Sequence, residues 1–561
     1  VNDWIKLLNP LGTGIVSIRM ATRSKMMMTQ TENLVQSPSD QALIAIERLV
    51  QFAAHKQMIA DEDVNYARNL LLDLFQFQAP YAGDWNADEA PAEEPHAILA
   101  QLIDYGFAIG LMPDRNTTYA DLLDAKIMGL LMPRPSDVVR KFRETAKTQG
   151  VETATTDFYN LCIDSNYIQM ERIRKNSYWR HPSDYGDIEM TINLSKPEKN
   201  PQEIAMALKA APSHYPKCLL CAENVGYAGR LNHPARQNLR VIPVELTQEA
   251  WFFQYSPYVY YNEHCIVFHS EHVPMKLTHE TFARLVDFVD QFPHYFVGTN
   301  ADLPIVGGSI LTHDHFQGGR HTFPIELSSI ETGFSHNAHP DVQIHRVKWP
   351  MSVLRVTSKK REALLRVAGE VYDAWKAYSD EAANVLAYTD RDGQLVPHNT
   401  VTPIVRYNAK GEYEMDLVLR NNRTDADHPE GIYHPHRHLH HIKKENIGLI
   451  EVMGVAILPG RLKSQLEQIA QILCGELPWT PGEAQDRYAG LAEHIPWVEQ
   501  LLAAHGQLSS KDDAVRIVEQ EVGDKFVEIL SCAGVYKRTE QGIAAFDRFV
   551  HSMGWKETLE G

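Results

Sequence analysis

The chain has 561 residues, 44% of them hydrophobic and 22% charged, too long for one hydrophobic core and ordinary in composition for a globular protein. Its 54 basic and 72 acidic residues give a formal charge of −18, which argues against general nucleic-acid binding but not against a phosphorylated small molecule held by local charge. No apolar run reaches the roughly 20 residues of a membrane span, and six cysteines in such a length make no disulfide framework, so a cytoplasmic protein without membrane attachment is expected.

Residues 1–37 read as a loose tail. Their apolar pieces, Trp4–Leu8 and Gly14–Ile18, are short and broken by Pro10 and glycines, unlike the continuous segment of a secretory signal. A helical region is predicted over 38–185. Pro38-Ser39-Asp40 signals a helix start, with Leu43, Ile46, Leu49, Val50 and Ala53 at helical spacing. Further helices are predicted over Val64–Phe75, Ile98–Tyr105, Leu122–Leu131 and Val138–Thr145, with a polar linker over 79–95 and a break at Pro133-Arg134-Pro135. Strand periodicity begins at Ile188–Leu194 and returns at Leu239–Val244, Tyr258–Tyr261, Cys265–Phe268 and Tyr295–Gly298. Between the last two lies an amphipathic helix with Thr278 as cap, an apolar stripe of Phe282, Leu285, Val286, Val289 and Phe292, and Pro293 as its end. The order predicts an α+β unit with mainly antiparallel strands. A second mixed region holds strand candidates Ile404–Tyr407, Glu412–Leu419 and Ile447–Leu458, and helical spacing persists from Lys463 to Phe549.

The segment richest in chemistry runs from Pro304 to Gly319. Gly307 and Gly308 allow close backbone approach, and the N–H groups of such a turn can cradle phosphate oxygens. If His313 to Gln317 is extended, His313, His315 and Gln317 share one face. A neutral imidazole is a competent nucleophile toward phosphorus. Gln317 can donate to a phosphoryl oxygen without taking a proton, which suits an intermediate that must wait for its acceptor.

The run Gly307-Gly308-Ser309-Ile310-Leu311-Thr312-His313-Asp314-His315-Phe316-Gln317, with Cys218-Leu-Leu-Cys221 and the Ala222–Arg240 segment, resembles the longer bacterial form of the galactose-1-phosphate uridylyltransferase family, in the histidine triad superfamily. The resemblance extends to about Leu462. It implies two histidine-triad-like units with antiparallel sheets, 186–330 and 331–462, flanked by helical regions over 38–185 and 463–561. It implies that His315 accepts UMP from UDP-glucose, releasing glucose 1-phosphate, and that galactose 1-phosphate then takes the UMP to give UDP-galactose. Gln317 would steady the phosphoryl oxygens, and Asn300 and Ser309 would contact the nucleotide. A homodimer is also implied. Asp314 stands where the commoner form has proline, and the ribose-binding Asn-Asp pair of that form is absent from Val241–Glu245.

One CxxC supplies two of the four ligands of a structural zinc. The resemblance points to His272 and His313 as the others, with His233, His264 and His269 as rival ligands. Arg230, in a donor-rich loop, could grip a diphosphate, and Lys199, after the first strand, could reach a substrate phosphate; a polar loop and a solvated charge are the plain alternatives. The histidine-rich Tyr433–His441 lacks the glycine-rich approach and the glutamine, so it belongs to the second unit. Lys443 and Lys444 follow it as candidates for a sugar phosphate. Rival functions are a dinucleoside polyphosphate phosphorylase or nucleotide hydrolase of the same superfamily, and a zinc-organised nucleotide-binding protein without turnover.

Overall fold

The computed structural model describes residues 37–83, 85, 92–195, 213–308, 310–480, 482 and 487–558; the expected tail, Ser37 apart, lies outside them. Helix Pro38–His55 starts where expected: Ser37 Oγ accepts the Asp40 N–H at 3.1 Å while the Asp40 carboxylate accepts the Ser37 N–H at 3.3 Å, a reciprocal cap. Val64–Leu74, His96–Ala108, Thr117–Leu131 and Pro135–Gln149 occupy the predicted helical spans. Val151–Asp164 is a further helix that the sequence reading misses. The first of these helices pack a core of their own around Leu49, Phe52, Leu71, Leu102 and Ile127.

The strands of the described residues, in chain order, are β1 (Ser177–Ser183), β2 (Gly186–Ile192), β3 (Ile242–Leu246), β4 (Glu249–Tyr255), β5 (Cys265–His269), β6 (Phe296–Gly298), β7 (His315–Gly319), β8 (Ile330–Ser335), β9 (Gln343–Val347), β10 (Val353–Ser358), β11 (Tyr388–Arg391), β12 (Gln394–Pro397), β13 (Asn399–Tyr407), β14 (Tyr413–Asn421), β15 (Val455–Leu458) and β16 (Lys556–Glu557). A small sheet sets β2 between β1 and β15, and β11 pairs with β12. The remaining eleven strands form one sheet in the order β16-β8-β9-β10-β14-β13-β6-β7-β5-β4-β3.

Two halves of that sheet follow one plan. Three strands (β3, β4, β5) lead into a helix, His279–Gln291, and two more strands (β6, β7) return beside the third. Strands β8, β9 and β10, helix Arg361–Ala377, then β13 and β14 repeat the order. The equivalent strands β6 and β13 pair antiparallel, Ile404 opposite Gly298 and Val405 opposite Val297, so the halves meet about an approximate two-fold. The two expected units are therefore fused edge to edge. Both helices cover one face of the sheet, where Phe282, Val286, Val367 and Val371 share a core with Val267, Val297, Phe316 and Leu417. The opposite face carries Phe296, Val353, Ile404 and Val418, packed with β15 and helices Leu462–Leu473 and Lys511–Ala533.

Three local expectations are corrected. Tyr258–Tyr261 is a turn with Val259 at φ 41°, and the strand here is β4, where Trp251, Phe253 and Tyr255 are buried. Ile447–Leu458 divides into the helical turn Leu449–Val452 and β15, because Gly454 reverses the chain at φ 101°, a region glycine tolerates. β2 is central, so Ile188–Ile192 is buried throughout and not on alternate residues. The C-terminal region is helical as expected but also supplies β16 to the edge of the main sheet. Among the described residues, no helix is long and apolar enough to cross a membrane.

Candidate active site and metal cluster

β5 and β7 build the site. Their antiparallel register sets Phe268 opposite His315, Val267 opposite Phe316 and Ile266 opposite Gln317. Side-chain alternation then decides the chemistry: Phe316 turns into the helix-covered core and stacks on Trp251 at 4.7 Å, which sends His315 and Gln317 to the other face. His315 is buried, with 6% of its surface exposed. Its Nδ1 lies 2.8 Å from the His313 carbonyl. A carbonyl can only accept, so Nδ1 carries the proton and Nε2 presents a lone pair. Burial pushes the ring's pKa down to about 4, against a smaller upward pull from that carbonyl, so the imidazole is neutral at ordinary pH. Gln317, half-buried, has Oε1 at 3.1 Å from His264 Nε2.

β7 begins at His315 and not at His313. Asp314 N–H is drawn to the Val273 carbonyl at 2.7 Å, and the His313 ring is engaged elsewhere. His313 Nδ1 lies 3.2 Å from Cys218 Sγ and 3.7 Å from Cys221 Sγ. His272 Nδ1 lies 3.3 Å from Cys221 Sγ, and the two sulfurs are 3.5 Å apart. All four donor atoms fall within 4.8 Å of one another. A tetrahedral ion with bonds of about 2.3 Å to sulfur and 2.0 Å to nitrogen has edges of this size, whereas a disulfide needs sulfurs about 2.05 Å apart. His313 Nε2 donates to the His269 carbonyl at 2.8 Å, the partner a metal-bound imidazole normally has. The rival ligands are all used otherwise: His233 on Asn224, His264 on Gln317, and His269 on the backbone N–H of Glu271.

The glycine-rich lead-in is packed tightly enough to require glycine. A Cβ on Gly307 would meet the carbonyls of Ala301 and Leu303 at 2.6 and 2.7 Å, and one on Gly308 would meet the Asn300 amide at 2.5 Å. The space on the Cβ side of these glycines is filled by the turn itself. Asn300 is buried and its Oδ1 accepts the Leu449 N–H at 2.8 Å, so it ties this turn to the second half. Ser309 and Lys199 lie outside the described residues. Arg230 donates to Asn232, to the Tyr215 carbonyl and to the Tyr227 hydroxyl. It lines a cavity of about 250 Å³ whose described lining includes Asp124, Arg172 and Tyr258 but nothing from 300–319; the structure does not bring it together with His315. Lys443 is buried in an ion pair with Glu451, while Lys444 is exposed. The histidines of 433–441 are each engaged: His434 and His440 by the Pro435 carbonyl, His436 by Ile432, His438 by Glu528 and His441 by His494. His264 is the neighbour of Gln317 that sequence reading misplaces. No local pattern marks it, because it meets Gln317 only through the β5–β7 register.

The chain matches the family model described as galactose-1-phosphate uridyl transferase, N-terminal domain, over residues 60–274, and the corresponding C-terminal domain over 288–484. A galactose-1-phosphate uridylyltransferase of Caldanaerobacter subterraneus is 56% identical over 92% of this chain and 99% of its own length. Those of Halalkalibacterium halodurans and Bacillus subtilis are 50% and 47% identical, each over 91% of this chain and 98% of its own. The crystal structure of yeast Ap4A phosphorylase Apa2 superposes with a TM-score of 0.29 at 11% identity, over 59% of this chain and 89% of that one, too slight a likeness to carry weight.

Proposed function

As the chain belongs to the galactose-1-phosphate uridylyltransferase family, we propose that His315 is the residue that carries UMP between the two sugar phosphates. The enzyme is a nucleotidyltransferase that exchanges UMP between UDP-glucose and hexose 1-phosphate. The observation that supports His315 is its single proton assignment: Nδ1–H is committed to the His313 carbonyl, which leaves Nε2 as a nucleophile that needs no base.

In the first half-reaction Nε2 attacks the α-phosphorus of UDP-glucose, forming the N–P bond as the P–O bond to glucose 1-phosphate breaks. The leaving group departs with the electron pair as a stable phosphate anion, so no proton donor is needed. The ring becomes a cation, and its Nδ1–H bond to the His313 carbonyl strengthens as charge develops. Gln317 donates to a phosphoryl oxygen through both half-reactions. Galactose 1-phosphate then attacks the same phosphorus, giving UDP-galactose and free His315.

Cys218, Cys221, His272 and His313 fit a zinc ion by donor type and by spacing. Bound there, zinc would supply structural cross-linking of the 218–221 loop, the segment after β5 and the start of β7. The chain's own part is that His313, tethered through its ring, offers its carbonyl to His315. A homodimer and a cytoplasmic location belong to the same reading, with sedimentation as the measure of the first.

The test uses UDP-glucose labelled separately at each phosphorus. Protein-bound label is expected from the α position alone and is lost in His315→Ala. Retention of label by that variant overturns the assignment.

A further inference from the structure

Gln317 can help a phosphoryl oxygen only through its amide N–H, and an amide end turned by half a circle offers its oxygen instead, with almost the same shape. An anion beside that oxygen is repelled. Something must hold the amide the right way round before substrate arrives.

His264 stands just ahead of β5, on the same face as Ile266 and therefore diagonal to Gln317 across the β5–β7 ladder. Its ring is buried, lies 4.5 Å from Tyr261 and 5.5 Å from Tyr260 by centroids, and sits with Nε2 3.1 Å from Gln317 Oε1. Tyr261 in turn donates to the Gly318 carbonyl at 3.0 Å, so the clamp is seated on β7 itself. No described residue hydrogen-bonds His264 Nδ1, which is enclosed. Burial pushes the ring's pKa down to about 4, so it carries one proton. Placed on Nδ1, that proton would be an enclosed N–H with no acceptor, the rarer and costlier kind of orphan. Placed on Nε2, it is donated to Gln317 Oε1.

We propose that His264 is a positioning residue that fixes the Gln317 amide with its oxygen turned back toward β5 and its N–H groups turned toward the phosphoryl group on His315. This rests on the role given to Gln317 above and adds the element that orients it. The Nδ1 lone pair is left unpaired, a small cost that only this tautomer incurs.

The experiment measures the single-turnover rate of uridylyl-enzyme formation with the two diastereomers of UDP-glucose carrying sulfur for one non-bridging α-oxygen. A fixed amide favours one diastereomer, and Gln317→Ala should abolish the preference. His264→Phe keeps an aromatic ring and removes the donor. It should slow the oxygen substrate about tenfold, the worth of one hydrogen bond, and erase most of the diastereomer preference. His264→Gln, whose terminal amide reaches the Nε2 position, should restore both. His264→Asn, which reaches only the Nδ1 position, should not, and this pair carries the contrast if loss of the ring unfolds the protein. In the Gln317→Ala background, His264→Phe should cost no more than about twofold further, as expected of two residues acting as one unit. The proposal is overturned if His264→Phe leaves the preference at its wild-type value, or slows the Gln317→Ala enzyme as much as the intact one. If Gln317→Ala itself keeps wild-type rate and preference, the role of Gln317 falls first and the proposal falls with it.

Discussion

The two halves of the main sheet share strand order and helix placement but use the face away from their helices in opposite ways. In the first half, β7 presents His315 and Gln317 there, a neutral imidazole and a neutral amide. In the second, the equivalent strand β14 presents Glu414 and Asp416, and β10 and β13 answer with Arg355 and Arg406. Arg355 donates two hydrogen bonds to the Asp416 carboxylate at 2.7 and 3.0 Å, and Arg406 reaches Asp416 at 2.8 Å and Glu414 at 2.5 Å. The Ile325 carbonyl closes over Arg355 at 2.9 Å. On the first surface the two β7 side chains carry no charge and are free of ion pairs, which suits the phosphorylated substrate proposed to bind there. On the second, charges are spent on each other, and what they yield is a locked sheet. One scaffold thus keeps the proposed site of turnover apart from the charges that supply cohesion.

That division can be broken at several points. The largest effect is expected for His315→Ala: loss of uridylyl transfer by about 10⁴-fold or more, with the urea midpoint close to wild type. A large fall in stability would show that the first half also carries cohesion. Next, Arg406→Met strands the buried Glu414 and leaves Asp416 to Arg355 alone; breaking such a buried pair costs about 3–5 kcal/mol, read as a lower urea midpoint while folded protein still exchanges UMP. Gly298→Ala tests the seam. The added Cβ would meet the Pro403 carbonyl and Leu449 Cδ1, each at 2.9 Å, and a loss of about 1–3 kcal/mol is expected for overpacking a site with backbone on one side. The smallest effect concerns pH. Burial would raise the pKa of Asp416, but Arg355 and Arg406 outweigh it and hold the carboxyl below its ordinary value. Its stabilising contribution is therefore present above the unfolded pKa of about 3.9 and lost as pH falls toward the folded value. Urea midpoints measured from about pH 5 down to pH 3 should drop, and less steeply in Asp416→Asn.

Much of this was legible in the residues. Caps and apolar stripes announced the helices at Pro38 and Thr278 because those signals are local. The motif around His315 and the CxxC pair stood out because few other roles need those side chains at that spacing. What failed were features set by partners distant in the chain. Trp251, Phe253 and Tyr255 alternate in plain view, yet the aromatic Tyr258–Tyr261 beside them drew the strand assignment and is a turn. The β6–β13 seam has no signature, since strand pairing is invisible until both partners are placed. His264, taken as a possible metal ligand, turns out to face an amide.

The seam also decides how the molecule can move. Backbone hydrogen bonds cross it, with Thr299 N–H reaching the Pro403 carbonyl at 3.1 Å beside the Val297–Val405 pairing, and one core runs beneath both halves. Swinging them apart would strand enclosed amide groups on each lip, an expensive gesture. The proposed nucleophile, His315, therefore rides a stiff platform.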